Sequence, residues 1–300
     1  MNKIIMGYQN FTQKTVNKGF SRFIQFPLTR ILIALLFITP AIVFHNLLAI
    51  NLLDKVSGLP GDVIYFVETF LFIFLIYYLY KIYAKIIEGR QALEFSFKGG
   101  LKEFTRGAAV GGSLVSIMAV LLSLCEFYNI EKVNSPYILV YGIFRYGIGA
   151  YLEEVVFTII IYKLAEEFLG TKWSVILITF LFGLAHTGNS NVTIQNLLLM
   201  SLSHILVLSS FILTRRIWMV WALHFSWNFF QAAILGISNS GMAQEGFLTP
   251  VLTGPEWFTG GNYGIEASYV SVSLNIIAGA IILWKAVKSG QMIKPSWKRK

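Results

Sequence analysis

Runs of about twenty apolar residues, the length that crosses roughly 30 Å of hydrocarbon, recur near 31–53, 63–83, 107–126, 137–168, 173–187, 192–213, 217–236 and 268–287. In lipid a backbone must satisfy its own polar groups, which leaves helices or a closed barrel. Runs of this length suit helices, because a barrel strand needs only about ten residues. The expected fold is therefore an all-α, polytopic membrane protein, a bundle of about eight transmembrane helices with the fourth run long and the fifth short. Charge supports the class: only 13% of the 300 residues are charged, against about a quarter in soluble domains.

The loops between these runs separate by sign. The arm over 1–30, the 81–106 loop (Lys81, Lys85, Arg90, Lys98, Lys102, Arg106), the turn at Lys163 and Lys172, the pair Arg215 and Arg216, and the tail from Lys285 to Lys300 fall on one side. The other side has Lys55 and Lys132 as its basic loop residues, beside Asp54, Asp62, Glu126, Glu131, Glu245, Glu256 and Glu266. Positive loops stay inside, so both termini are expected in the cytoplasm and the chain in the cell membrane as a multi-pass protein. The formal charge of +9 is then absorbed by orientation and by anionic headgroups. Membrane lipids are the expected partners, and nucleic acid is not.

One cysteine, Cys125, excludes an intramolecular disulfide framework and a cysteine-rich metal site. The first 30 residues hold Lys3, Lys14, Lys18, Arg22 and Arg30 without an apolar core between them. No cleavable signal peptide is expected there, and the first run should remain as an anchor. The chain divides into a basic arm (1–30), a single transmembrane domain (31–290) and a basic tail (291–300). The 238–267 connection, rich in Gly, Pro, Thr and Ser, is the longest loop on the acidic side. It reads as a lid or substrate-contacting segment, or equally as a solvated connector.

Within these runs a few polar side chains stand out. Glu153 and Glu154 are adjacent in the fourth run, where each charged group costs roughly 2.5–3.5 kcal/mol or more at mid-helix. An acid at that depth is a functional candidate by default. Successive helical residues point about 100° apart, so one carboxylate can face a reaction centre while a neighbour holds the other. His186 lies on the fifth run with Phe182 on its face, and His224 shares a face with Asn228 on the seventh. Peptide hydrolysis inside a membrane needs a water, a base and donors for the oxyanion. A desolvated Glu beside a His can serve as base, and a second His with an Asn amide as donors. Alternatively Glu153, His186 and His224 could hold one divalent metal such as zinc with a position open for water, although the familiar HExxH spacing is absent. His45 and His204 read as structural, hydrogen-bonded between helices, and Arg145 as snorkelling or held by another helix.

These residues resemble the motifs of the CPBP family, the CAAX proteases and bacteriocin-processing enzymes also called Abi. That family carries EExxxR, FxxxH and HxxxN or HxxxD on separate membrane helices. Here the order is Glu153, Glu154, Val155, Val156, Phe157, Thr158; then Phe182 to His186; then His224 to Asn228. The Gly-rich stretch from Thr259 to Ser268 is similar to the segment before the family's last helix, so the resemblance covers about 135–290. It implies an eight-helix bundle and an intramembrane endopeptidase acting on a membrane-associated or lipidated peptide or protein. Glu153 and His186 would activate water, while His224 and Asn228 would stabilise the oxyanion. Bacterial members are tied to peptide processing, bacteriocin self-immunity and surface display. One position departs from the pattern: Thr158 stands where the family has Arg, four residues after Glu154. That departure motivates an alternative, a catalytically inactive member of the fold acting as an immunity or membrane-scaffold protein. A small transporter is a third reading, because intramembrane Glu and His also relay protons.

Overall fold

The computed structural model describes residues 23–51 and 61–299. The basic arm up to residue 22 and the connection holding Lys55 lie outside the described residues. Six helices among those described are long and apolar enough to cross a membrane: Pro27–His45, Tyr65–Ile86, Gly100–Leu124, Tyr137–Ala185, Ile194–Thr214 and Tyr269–Lys288. The elements are α1 (Pro27–Asn51), α2 (Gly61–Ile86), α3 (Gly100–Leu124), β1 (Tyr128–Val133), α4 (Tyr137–Glu153), α5 (Lys163–Ala185), α6 (Ile194–Thr214), α7 (Ile217–Asn228), β2 (Leu248–Leu252), the single turn α8 (Glu256–Thr259) and α9 (Tyr269–Lys288). A π-helical stretch, Glu154–Tyr162, joins α4 to α5, and a second, Phe229–Ile234, extends α7.

The fourth and fifth expected runs are one helical path of 49 residues, broken at Gly170, whose φ of 74° and ψ of 166° leave the helix. A side chain there would also collide, since a Cβ would lie 2.6 Å from Pro295 N and 2.8 Å from Ile293 O. The tail uses that notch. Thr171 N donates to Ile293 O at 3.0 Å, and Ile293 N donates to Thr171 Oγ1 at 2.8 Å. The basic turn expected at Lys163 and Lys172 therefore sits at Gly170, with Lys163 inside the helix.

Helix α7, which carries His224 and Asn228, is clamped against α3 by small residues. A Cβ at Gly107 would lie 2.2 Å from Met219 O, and one at Gly111 would lie 2.4 Å from Leu223 O. Only glycine, four residues apart on one face, lets the two backbones approach this closely.

The described residues are mostly helical, with one small sheet between the helices. β1 and β2 form a two-stranded antiparallel sheet, with Tyr128 opposite Leu252 and Val133 opposite Leu248. Part of the 238–267 connection is thus a strand, tied to the bundle because Tyr128 Oη donates to Leu235 O at 2.8 Å. Cross-strand pairing gives the backbone groups of both segments their partners.

At the basic end the charge is not all given to headgroups. Lys163 is fully buried, with Nζ 3.1 Å from Glu88 Oε2 and 3.0 Å from Glu94 Oε1. Arg90 bonds both oxygens of Glu94, and Arg30 reaches Glu88 and Glu167. Arg215 pairs with Glu166 and also donates to Gln291 O. Burial pushes the Glu94 carboxyl upward, but Arg90 and Lys163 outweigh it and hold the group well below the usual range. These pairs join α1, α2, α5, α6 and the tail at one end of the bundle, where the chain enters α1 and leaves α9.

Candidate functional site

Glu153, His186, His224 and Asn228 line one cavity of about 330 Å³. They reach it from three separate parts of the fold. Glu153 is the last residue of α4, His186 caps the C-terminus of α5, and His224 and Asn228 lie one turn apart on α7. π-helical segments begin directly after Glu153 and directly after Asn228, a local widening that often accompanies functional sites.

The two glutamates diverge. Glu153 borders the cavity, and its Oε2, buried, has no hydrogen-bond partner among the described residues. Glu154 is fully buried and lines no part of that cavity. Its Oε1 accepts from His224 Nδ1 at 2.7 Å, and its Oε2 accepts from Thr158 Oγ1 at 2.6 Å. Thr158 is thus the donor at the position where the family has Arg, and His224 is the second partner of the same carboxylate.

The imidazoles are oriented through their Nδ1 atoms. His186 Nδ1 lies 2.8 Å from Phe182 O; a carbonyl only accepts, so Nδ1 carries the proton and Nε2 of the neutral ring keeps a lone pair. His224 donates from Nδ1 to Glu154, and its Nε2 stands 3.8 Å from Glu153 Oε2. Phe182 is the packing centre between the rings, with centroids 4.6 Å from His186 and 6.3 Å from His224.

Three lining residues escaped the sequence reading. His204 was expected to be hydrogen-bonded between helices. It is 2% exposed, stacks on Phe182 at 3.8 Å with ring planes 3° apart, and neither ring nitrogen has a hydrogen-bond partner among the described residues. It lines the cavity with Met200, Ser203 and Val207. That i, i+3, i+4, i+7 spacing marks one face of α6, and a polar pair on such a face was the available signal. Asn275, also 2% exposed, lines the cavity with its Oδ1 unpartnered among the described residues. Glu266, sorted by sequence as a loop acid, is buried and also lines the cavity. It accepts from Gln231 Nε2, from Ser240 N, and from Ser240 Oγ at 3.1 Å. Burial pushes its carboxyl above the usual range, and the hydrogen bonds from Gln231 and Ser240 offset only part of this.

Among the described residues no three His, Cys, Asp or Glu side chains form a group that could hold a metal ion. The donor set Glu153, His186 and His224 shares the cavity without forming such a group. Arg145 and His45 stand apart from the cavity, and His45 packs on Phe72 with ring centroids 4.6 Å apart.

Comparison with known proteins agrees with the motif reading. Residues 133–230 match the family model described as type II CAAX prenyl endopeptidase Rce1-like. The match encloses Glu153 to Thr158, Phe182 to His186 and His224 to Asn228, and stops short of Glu266. No curated protein and no solved structure gives a significant match.

Proposed function

From the Rce1-like match over residues 133–230, we propose that this chain is an intramembrane endopeptidase that hydrolyses a peptide bond in a membrane-associated or lipidated peptide or protein. The single observation carrying the proposal is the convergence of Glu153, His186, His224 and Asn228 on one cavity.

A water between the Glu153 carboxylate and His186 Nε2 meets two acceptors: a carboxylate oxygen and a ring nitrogen with a free lone pair. Proton transfer to them as the water attacks the scissile carbonyl is general-base catalysis. The oxyanion that forms needs donors already in place. Asn228 supplies an amide N–H. His224, with Glu154 on Nδ1 and Glu153 facing Nε2, supplies a ring N–H. The proton taken from water then passes to the departing amine, and the peptide carbon becomes a carboxylate. Glu154 and Thr158 touch no substrate in this scheme; they fix the angle of the His224 ring and hold its Nδ1–H, as carboxylates behind a histidine do elsewhere. No step passes through a metal.

The inactive-scaffold alternative rested on the missing Arg. Thr158 and His224 together give Glu154 two hydrogen bonds, which favours the catalytic reading. The proposal includes eight spans, with 137–185 counted as two on either side of Gly170 and 217–234 as one. The basic end then lies in the cytoplasm and the chain in the cell membrane.

The test is cleavage of a fluorogenic prenylated CAAX-type peptide and of a panel of membrane-tail peptides by the full chain in proteoliposomes. Glu153→Gln and His186→Ala should each lose at least about a hundredfold in rate, and a chelator should leave the wild-type rate unchanged. Wild-type rates in both variants would remove the proposal. Loss of activity on chelation would replace its water-activation step.

A further inference from the structure

A second cavity, of about 1080 Å³, opens between α3, α6, α7 and α9 at the basic end of the bundle, away from Glu153 and the histidines. Its lining has a simple gradient. On α3, Arg106 is followed one turn deeper by Val110. At the N-terminal cap of α7, Arg216 is followed by Met219. On α9, Lys285 is preceded by Ile282. Each helix therefore presents a cation near the end of the bundle and an apolar side chain about 5 Å further in. Lys98, just before α3, adds a fourth cation, and Glu103 is the single acid in the lining.

The acid is already committed. Glu103 accepts from Arg216, which also donates to Lys98 O, so this pair braces the rim and largely cancels. Lys98, Arg106 and Lys285 remain, all exposed. Three uncancelled cations above an apolar cleft match one kind of occupant, an acidic headgroup with acyl chains below it. Basic pockets between transmembrane helices on the cytoplasmic side bind anionic lipid in this way. A soluble anion would use the cations and leave the apolar wall wet; a neutral lipid would fill the wall and leave the cations unanswered.

We propose that the cleft between α3, α6, α7 and α9 is a binding site for one anionic phospholipid, its phosphate held by Lys98, Arg106 and Lys285 and its acyl chains against Val110, Met219 and Ile282. The site is separate from the proposed peptidase centre and does not depend on it.

Native mass spectrometry of the detergent-purified full chain tests this with phosphatidylglycerol and phosphatidylcholine of matched chain length. One phosphatidylglycerol should stay bound under activation that strips phosphatidylcholine. Each basic residue near a membrane surface contributes roughly fivefold in affinity, so a variant combining Lys98→Gln, Arg106→Gln and Lys285→Gln should bind on the order of a hundredfold more weakly. Ala109→Phe keeps every charge and fills the wall. It should also release the lipid, and thermal unfolding of both variants would confirm that they fold. Equal retention of the two lipids, or wild-type retention in the triple variant, would overturn the site. Retention by a folded Ala109→Phe chain would reduce it to surface charge, and displacement of the lipid by millimolar inorganic phosphate would make it an anion site. Either result also rejects the proposal.

Discussion

Thr158 decides how Glu154 can remain buried. An ionised carboxylate without partners is costly in the interior, and here a threonine hydroxyl and the Nδ1–H of His224 stand where an arginine would. A hydrogen bond to a charged group contributes about 1.5–3 kcal/mol. Thr158→Val should therefore lower the cleavage rate about tenfold or more by loosening His224, while Thr158→Ser restores it. Rates measured for the pair in proteoliposomes check this, and equal wild-type rates in both would show that Glu154 does not need the hydroxyl. The divergence of Glu153 from Glu154 was readable from sequence because adjacent helical residues point apart. The partner of Glu154 was not readable, since nothing in the local pattern says that an imidazole 70 residues away takes an arginine's place. His204 shows the opposite difficulty. Its helix face was legible, but whether a histidine on that face meets a neighbour or a cavity depends on how Phe182 packs.

At the scale of elements, helix existence was legible and helix detail was not. Apolar length marks a span whatever its neighbours do. The π-helical turns after Glu153 and Asn228 have no compositional signature, and the β1–β2 pair joins segments more than a hundred residues apart. The segment after α7 is held by the same kind of unforeseen contact. Asn189 Nδ2 donates to Ser240 O at 2.9 Å, Asn191 Nδ2 donates to Gly241 O at 3.0 Å, and Glu266 accepts from Gln231 and Ser240. The two ends of the 238–267 connection are thus hydrogen-bonded to each other beside the cavity. Glu266 makes that contact pH-dependent. Its folded pKa is raised by burial, so the folded state holds the proton more tightly than the unfolded chain. Its contribution is complete below the unfolded carboxyl pKa and is lost as pH rises through the raised folded value. Wild-type thermal stability relative to Glu266→Gln should fall on going from pH 4 upward, with the variant's own profile lacking this component. Parallel profiles for the two chains would show that Glu266 does not titrate in the folded state. Tyr263 and His224 also face this carboxylate, so the comparison must be made within one buffer series.

The whole molecule is organised from its two ends. At one, buried ion pairs among Arg30, Glu88, Glu94, Lys163, Glu166 and Arg215 cross-link helices that are distant in sequence. Removing one member of such a set typically costs 3–5 kcal/mol, because its partner is left buried and uncompensated. The sorting of basic loops to this end was legible in the sequence; the burial of Lys163 was not, because a lysine in a loop and a lysine in an ion cluster look alike one residue at a time. At the other end lie Cys125, the β1–β2 pair and the loop residues Asn189, Ser240 and Glu266 that border the cavity of Glu153 and the histidines. If the basic end is cytoplasmic, as the positive-inside rule requires, the cavity is bordered by loops of the outer face, and substrate reaches it from that side or laterally from the outer leaflet. Cys125, exposed at the C-terminal cap of α3, reports the orientation without engineering. A membrane-impermeant maleimide added to intact cells should label it, whereas Lys298→Cys in a Cys125→Ser background should label only after permeabilisation. The reverse pattern would invert the molecule, turn the cavity toward the cytoplasm, and place the anionic-lipid cleft in the outer leaflet.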